Sequence, residues 1–310
     1  MRKKGFEFNF GWLFAMLAGA VILFLAIYFA VNLVNVESKK TSTIAAKQLT
    51  IIFEPMETGL ASGKSLMLDL KEKTKIYNKC YTTGIFGKQK ISIAEKTFGK
   101  WHAGENISIK NKYIFSRGEE EGKNIYLFSK SLKLPWKISE IVFLTTQKYC
   151  FIDAPEKIRE EVIGLGIKNI RFDNCTEKEI KVCFGKKCEI SVFGNCLDYD
   201  CESEYDFGYV EKNKKKIFYV GSLIYGAIFS SPEIYECNVK RLMSRLKQQA
   251  LIYLDEASFL SAKCGTLPKN GLLGFIGAIR NMNNSEQLIL IKNLADEIDK
   301  ENENSECKLW

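Results

Sequence analysis

The sequence predicts an α+β protein carried on an N-terminal transmembrane helix, and three observations predict it. Residues 11–34, GWLFAMLAGAVILFLAIYFAVNLV, contain no charge and no proline. Short β-rich runs punctuated by glycine fill residues 59–137, and helix-periodic runs dominate the last third. All ten cysteines follow the apolar run, and none lies within it or before it.

Residues 1–10, MRKKGFEFNF, form a basic leader. Arg2, Lys3 and Lys4 favour a cytoplasmic N-terminus, although Lys39 and Lys40 on the other flank weaken that charge bias. Phe6, Phe8, Phe10 and Trp12 fall where an interfacial aromatic belt belongs. As a helix, residues 11–34 extend about 36 Å, enough to cross a ~30 Å hydrocarbon core with some tilt. In lipid each amide must bond within its own segment, so a single span must be helical. The run exceeds the ~7–15 residues of a cleaved signal core, and no small-x-small site follows it, which makes it a signal anchor. Ala15 with Gly19, and Ala26 with Ala30, give a small-residue face for self-association or a membrane-protein partner.

Residues 35–58 place Ile44, Leu49, Ile52, Phe53 and Met56 at mostly helical separations, so a stalk helix ending near Pro55 is expected. Its apolar face needs a partner, either the body or a second copy. In residues 59–137 the runs SLMLDL, KIYNKCY, KQKISIAEK, ENISIKNKYIFS and NIYLFSKSLKL read as strands of a β-sandwich-like domain. Residues 138–265 read as a mixed α/β domain. ISEIVFLTT and KYCFIDA are apolar strands, PEKIREEVIGLG a helix with proline at its start and glycine at its end, and IKNIRF a further strand. A hairpin turning at Lys212–Lys215, the buried run LIYGAIFS and a long helix from PEIYECNVKRLM onward complete it. Along that helix Ile234, Cys237, Arg241 and Met243 precede a regular Leu246, Ala250, Tyr253 series. Residues 266–310 supply two more helices and a polar tail holding Cys307 and Trp310.

Two resemblances attach to these stretches. Lys-Lys-Gly-Phe before an apolar run resembles the processing site of a type IV prepilin, a family in which a basic leader ends in glycine and the apolar helix becomes a filament core. Gly5 would precede the cut and Phe6 would be the new N-terminus. The family's glutamate at the fifth mature position is replaced here by Phe10, with Glu7 at the second, and the body is much larger than a usual pilin's. The anchor FEFNFGWLFAMLAGAVILFLAIYFAV, with IYNKCYTTGIFGKQKISIAEKTFGKW and KKIFYVGSLIYGAIFSSPEIYECNVKRLM, resembles a group of uncharacterised archaeal single-pass membrane proteins. That resemblance implies the anchor-plus-body layout and no activity.

The cysteines Cys80, Cys150, Cys175, Cys183, Cys188, Cys196, Cys201, Cys237, Cys264 and Cys307 are disulfide candidates, as suits an oxidising compartment outside the cytoplasm. Five of them form C-x7-C-x4-C-x7-C-x4-C, so at least one must bond outside the cluster or remain free. Zinc held by four thiolates is the alternative, without a nearby histidine. Asp198, Asp200, Glu202 and Glu204, followed by Asp206, form an acidic ladder that reads as a solvated loop or as oxygen ligands for a hard cation. Ser203 and Tyr209 stand where an EF-hand-like loop would need glycine and glutamate. His102 is the only histidine, lies in KWHAGEN without a nucleophile motif, and reads as a surface side chain. No catalytic residue is assigned and no cofactor is implied, since GxGxxG and GxxxxGK[ST] are missing from the turns. Asn106, Asn174 and Asn283 begin glycosylation-type triplets that matter only outside the cytoplasm. A diffuse net charge of +8 suits an anionic lipid surface but not nucleic acid. The expected role is a membrane-anchored extracytoplasmic structural or interaction protein. A pilin-like or secretion-system subunit and a membrane-tethered hydrolase or metal-dependent enzyme are the alternatives.

Overall fold

The first helix does not stop where its uncharged stretch stops. In the computed structural model, which describes residues 10–57, 65–195, 205–261, 263–264 and 267–310, α1 runs unbroken over Phe10–Glu57, 48 residues. At helical rise this is a rod of about 72 Å. Residues 35–54 offer no glycine or proline to interrupt it, and Pro55 sits in its last turn.

Strands β1 (Ser65–Tyr81), β2 (Lys88–Thr97), β3 (Lys100–Ala103), β4 (Ile107–Ile109), β5 (Ile114–Phe115), β6 (Glu119–Lys133) and β7 (Lys137–Thr145) form one sheet, ordered β3-β2-β1-β6-β7-β5 with β4 beside β2. Its pairings are antiparallel except β5 with β7. The sandwich expected for residues 59–137 is therefore replaced by a single sheet whose two faces are covered by helices. Strand β7, grouped by its sequence with the α/β region, is hydrogen-bonded to β6 along its length.

A second sheet follows, built from β8 (Tyr149–Ile152), β9 (Ile170–Phe172), β10 (Ile180–Phe184), β11 (Ile190–Asn195), β12 (Phe207–Lys212) and β13 (Lys215–Val220) in the order β13-β12-β11-β10-β8-β9. Helix α2 (Glu156–Gly164) joins the parallel strands β8 and β9, giving the β-α-β unit read from PEKIREEVIGLG. The hairpin at Lys212–Lys215 pairs β12 with β13. Then come α3 (Leu223–Phe229), α4 (Pro232–Leu260), α5 (Lys269–Arg280) and, after a 3-10 turn at Ser285–Gln287, α6 (Leu288–Glu303).

Because strand side chains alternate between faces, the first sheet divides two cores. Ile125, Leu127, Val142 and Leu144 face an aliphatic core closed by Ala46, Leu49, Phe53 and Met56 of α1. Phe115, Phe128 and Phe143 face the other way, into a larger core shared with α3, α4 and the second sheet. That core is aromatic: the rings of Phe128 and Phe143 lie 4.6 Å apart, and Tyr149 and Phe229 4.7 Å apart. The polar tail is docked against it. Trp310 packs 4.9 Å from Trp136 and 5.2 Å from Tyr253, and its indole donates to Asp299 at 2.7 Å.

Candidate functional site

The most distinctive place in the molecule is where α1 passes from an apolar, outward-facing rod into the body. Ala15, Gly19, Ala26 and Ala30 are all exposed, as is nearly every other side chain of the apolar half. The helix is long and apolar enough to cross a membrane, with a mean hydropathy of 2.6 in its most apolar window. Contact with the body begins at Ser38, whose hydroxyl lies 3.1 Å from that of Thr97 at the end of β2. One turn later Ser42 donates to the His102 carbonyl at 3.3 Å, and Thr43 accepts from the Glu105 amide at 2.9 Å.

The approach is close enough to select residues. A Cβ on Gly104 would lie 2.6 Å from the Thr43 nitrogen and 2.8 Å from the Ser42 carbonyl carbon, so only glycine lets the helix lie down there. The same closeness puts small Ser42 and Ala46 on the inward stripe, while Ile44 turns to solvent. Glu95, opposite His102 on the neighbouring strand, is partly buried against this seam, and burial raises its carboxyl above the usual range. His102 thus lies on β3, at the helix–sheet seam.

Deeper in, a polar network joins the first sheet to α4. The Arg241 guanidinium, 1% exposed, donates to the Phe86 carbonyl, the Gln89 side chain, the Lys112 carbonyl and the Asn238 side chain at 2.8–3.1 Å. It also stands 4.8 Å from the centre of the Tyr113 ring. Burial pushes its pKa down to about 10. Asn78 and Asn238 both donate to the Ile114 carbonyl, so β1, β2, β5 and α4 are tied at one node. The sequence signal for this node was an arginine within the apolar series of a predicted helix.

A buried lysine, Lys212, and a half-buried one, Lys130, carry further polar work. Lys212 donates to the carbonyls of Ala227, Ile228 and Ser230, which closes the C-terminal end of α3. Burial and nearby Arg117 push its amine down to about 7. Lys130 pairs with Glu161, which also accepts from the Tyr225 hydroxyl at 2.6 Å, linking β6, α2 and α3. Burial, with Lys157 nearby, pushes Lys130 down to about 8. No sequence pattern distinguished either lysine from the other basic residues.

The described cysteines are all paired: Cys80–Cys237, Cys150–Cys175, Cys183–Cys188 and Cys264–Cys307. Cys175 bonds outside its cluster, one of the two outcomes open to a five-membered group. Cys196 and Cys201 lie outside the described residues, as do the ladder carboxylates Asp198, Asp200, Glu202 and Glu204. Asp206, which ends the ladder, pairs with Lys157 at 3.7 Å. Among the described residues no three histidine, cysteine, aspartate or glutamate side chains gather to hold a metal ion. Compared with protein-family models, curated proteins and solved structures, the chain matches none of them.

Proposed function

We propose that this chain is a membrane-anchored structural or interaction protein, with its N-terminus in the cytoplasm and its disulfide-bonded body outside. One observation carries the reading: the exposed apolar half of α1 continues without a break into a half that is locked by Ser38, Ser42, Thr43 and Phe53 against the body. A flexible tether would leave the body free to tumble. A continuous rod seated on a sheet holds it at a fixed height above the bilayer, which suits a part that presents a surface to other molecules. Four described disulfides support the oxidising side. The likeness to archaeal single-pass proteins belongs to the same proposal.

Alkaline carbonate washing of membranes, followed by protease added to intact cells, tests it. The chain should stay in the membrane pellet, and the body should be cut from outside. Release by carbonate, or cutting only after lysis, contradicts the reading.

A second reading, a pilin-like subunit, is favoured by the same unbroken helix, because packing of the apolar halves would then set the position of every body. Intact-mass measurement decides it. A mature chain beginning at Phe6 supports this reading, and retention of residues 1–5 removes it.

A further inference from the structure

Two hairpins in this protein turn through two residues that both have positive φ. In the β12–β13 hairpin these are Asn213 (φ 51°) and Lys214 (φ 61°); in the β2–β3 hairpin they are Phe98 (φ 49°) and Gly99 (φ 77°). Such turns suit asparagine, aspartate and glycine, whose side chains tolerate the left-handed region. Asn213 and Gly99 follow that rule. Lys214 and Phe98 do not, but the exposed Lys214 carries a charge that water solvates, whereas the Phe98 ring is apolar and still 75% exposed. A bulky apolar side chain held in an unfavourable backbone conformation, and pointed at solvent, calls for something outside the body to meet it.

Its position says what that is. The Ser38–Thr97 contact sets the hairpin tip beside the stretch of α1 that leaves the apolar run. The later contacts, Ser42 with His102 and Thr43 with Glu105, show that β2 runs back toward the apolar half as it nears the tip. Ser38 is four residues beyond Val34, or about 6 Å along the helix, and a headgroup layer is roughly 5–7 Å deep. The tip therefore lies at headgroup height if α1 spans the membrane. Next to Ser38 in sequence are Lys39 and Lys40 on α1, and next to Thr97 and the turn are Lys96 and Lys100, with the acidic Glu37 and the partly buried Glu95 among them. Trp101 is flanked by two lysines, with the Lys75 amine 5.1 Å and the Lys96 amine 5.9 Å from its ring centre.

We infer that the β2–β3 hairpin is a second membrane contact: Phe98 inserts at the interface of the bilayer that α1 crosses, and Lys39, Lys40, Lys96 and Lys100 bind its anionic headgroups. This rests on the membrane-anchored reading above. It also explains why lysines follow the apolar run on the side where the charge rule disfavours them: their partners are headgroups. Two attachment points, the rod and the hairpin, would prevent the whole protein from spinning about the α1 axis in the membrane.

The test uses the full chain in vesicles of phosphatidylcholine alone and of phosphatidylcholine with phosphatidylglycerol, read by amide hydrogen exchange. In the anionic vesicles, exchange across residues 96–101 should slow by roughly fivefold relative to the neutral ones, the size of one lysine–headgroup contact. Lys96→Ala with Lys100→Ala should abolish that dependence on anionic lipid, and Phe98→Asn, which suits the turn and should leave the fold intact, should quicken exchange across residues 96–101 in both kinds of vesicle. If the hairpin exchanges equally in both vesicles and Phe98→Asn changes nothing while residues 11–34 stay protected, the hairpin contact is refuted and the anchor stands. If residues 11–34 also exchange freely, both the anchor and the hairpin contact fall.

Discussion

The two cores on either side of the first sheet are secured by different means. The aliphatic core is closed by α1, a helix that arrives from outside the body and is held by a stripe of four side chains and a few hydroxyl contacts. None of the four described disulfides involves α1. The aromatic core is held by covalent bonds as well as packing. Cys80–Cys237 joins the sheet to α4, and Cys264–Cys307 pins the tail that carries Trp310. The contrast teaches where each kind of fastening works. A helix continuous with a membrane span is already positioned by the bilayer, so packing is enough to seat it. Segments that must come together from 157 residues apart, as Cys80 and Cys237 do, have no such guide and gain most from a crosslink.

The comparison can be broken from either side. The largest expected effect belongs to the long disulfide. Replacing Cys80 and Cys237 together by alanine should cost about 5 kcal/mol on the chain-entropy account, whereas removing the short Cys183–Cys188 loop should cost about 2 kcal/mol. Denaturant unfolding of the two double variants in detergent measures the difference, and equal losses would mean that loop length does not govern the bracing.

Next is Phe53→Ala, which empties the middle of the aliphatic core and should cost about 4 kcal/mol. The loss should be local: hydrogen exchange should quicken along residues 42–57 and in β2–β4 while α4–α6 keep their protection. Uniform loosening of the whole body would show that the two cores are a single cooperative unit. Gly104→Ala should be milder, about 2 kcal/mol, because the helix must lift from the strand end to admit a methyl group. It should loosen the Ser38–Thr97 end of the seam before the Phe53 end.

A further effect is a pH slope in the aromatic half. Lys212 is pushed down to about 7 in the folded protein from its ordinary 10.5. Below pH 7 it is charged in both states. Between 7 and 10.5 the unfolded chain holds the extra proton, so stability should rise with pH through that window and then level off. Melting temperature followed from pH 7 to 9.5 measures it, and Lys212→Met should remove the rise between pH 7 and 8 and lessen it above 8, where Lys130, pushed down to about 8, adds its own. A falling slope in the parent protein, or an unchanged one in the variant, would mean that Lys212 is not the buried group responsible.

Much of this was legible in the residues. The uncharged run of residues 11–34 announced the rod, PEKIREEVIGLG announced α2 between parallel strands, and the Lys212–Lys215 turn announced its hairpin. These are local signals, set by composition, caps and periodicity within a dozen residues. The layering was not legible. Nothing in SLMLDL or NIYLFSKSLKL says that both faces of the sheet are buried by helices, because the partners lie far away in the chain. The sandwich expectation failed for that reason, and the same distance hid the pairing of β7 with β6. Within the candidate interface, Gly104 looked like an ordinary loop glycine until α1 was laid across it. Phe98 looked like any aromatic beside a glycine until its φ was known. Arg241 did leave a trace, a charge in an apolar helical series, but three of its four acceptors come from loops and strands more than a hundred residues earlier.

The account depends most on the body being oxidised and outside the membrane's cytoplasmic face. A membrane-impermeant maleimide applied to intact cells, with and without prior impermeant reductant, addresses this directly through the mass of the recovered chain. No label before reduction, and label on the cysteines after it, is the predicted result. Thiols that remain unlabelled in intact cells under both conditions, yet react without reductant once the cells are opened, would place a reduced body in the cytoplasm and contradict the account.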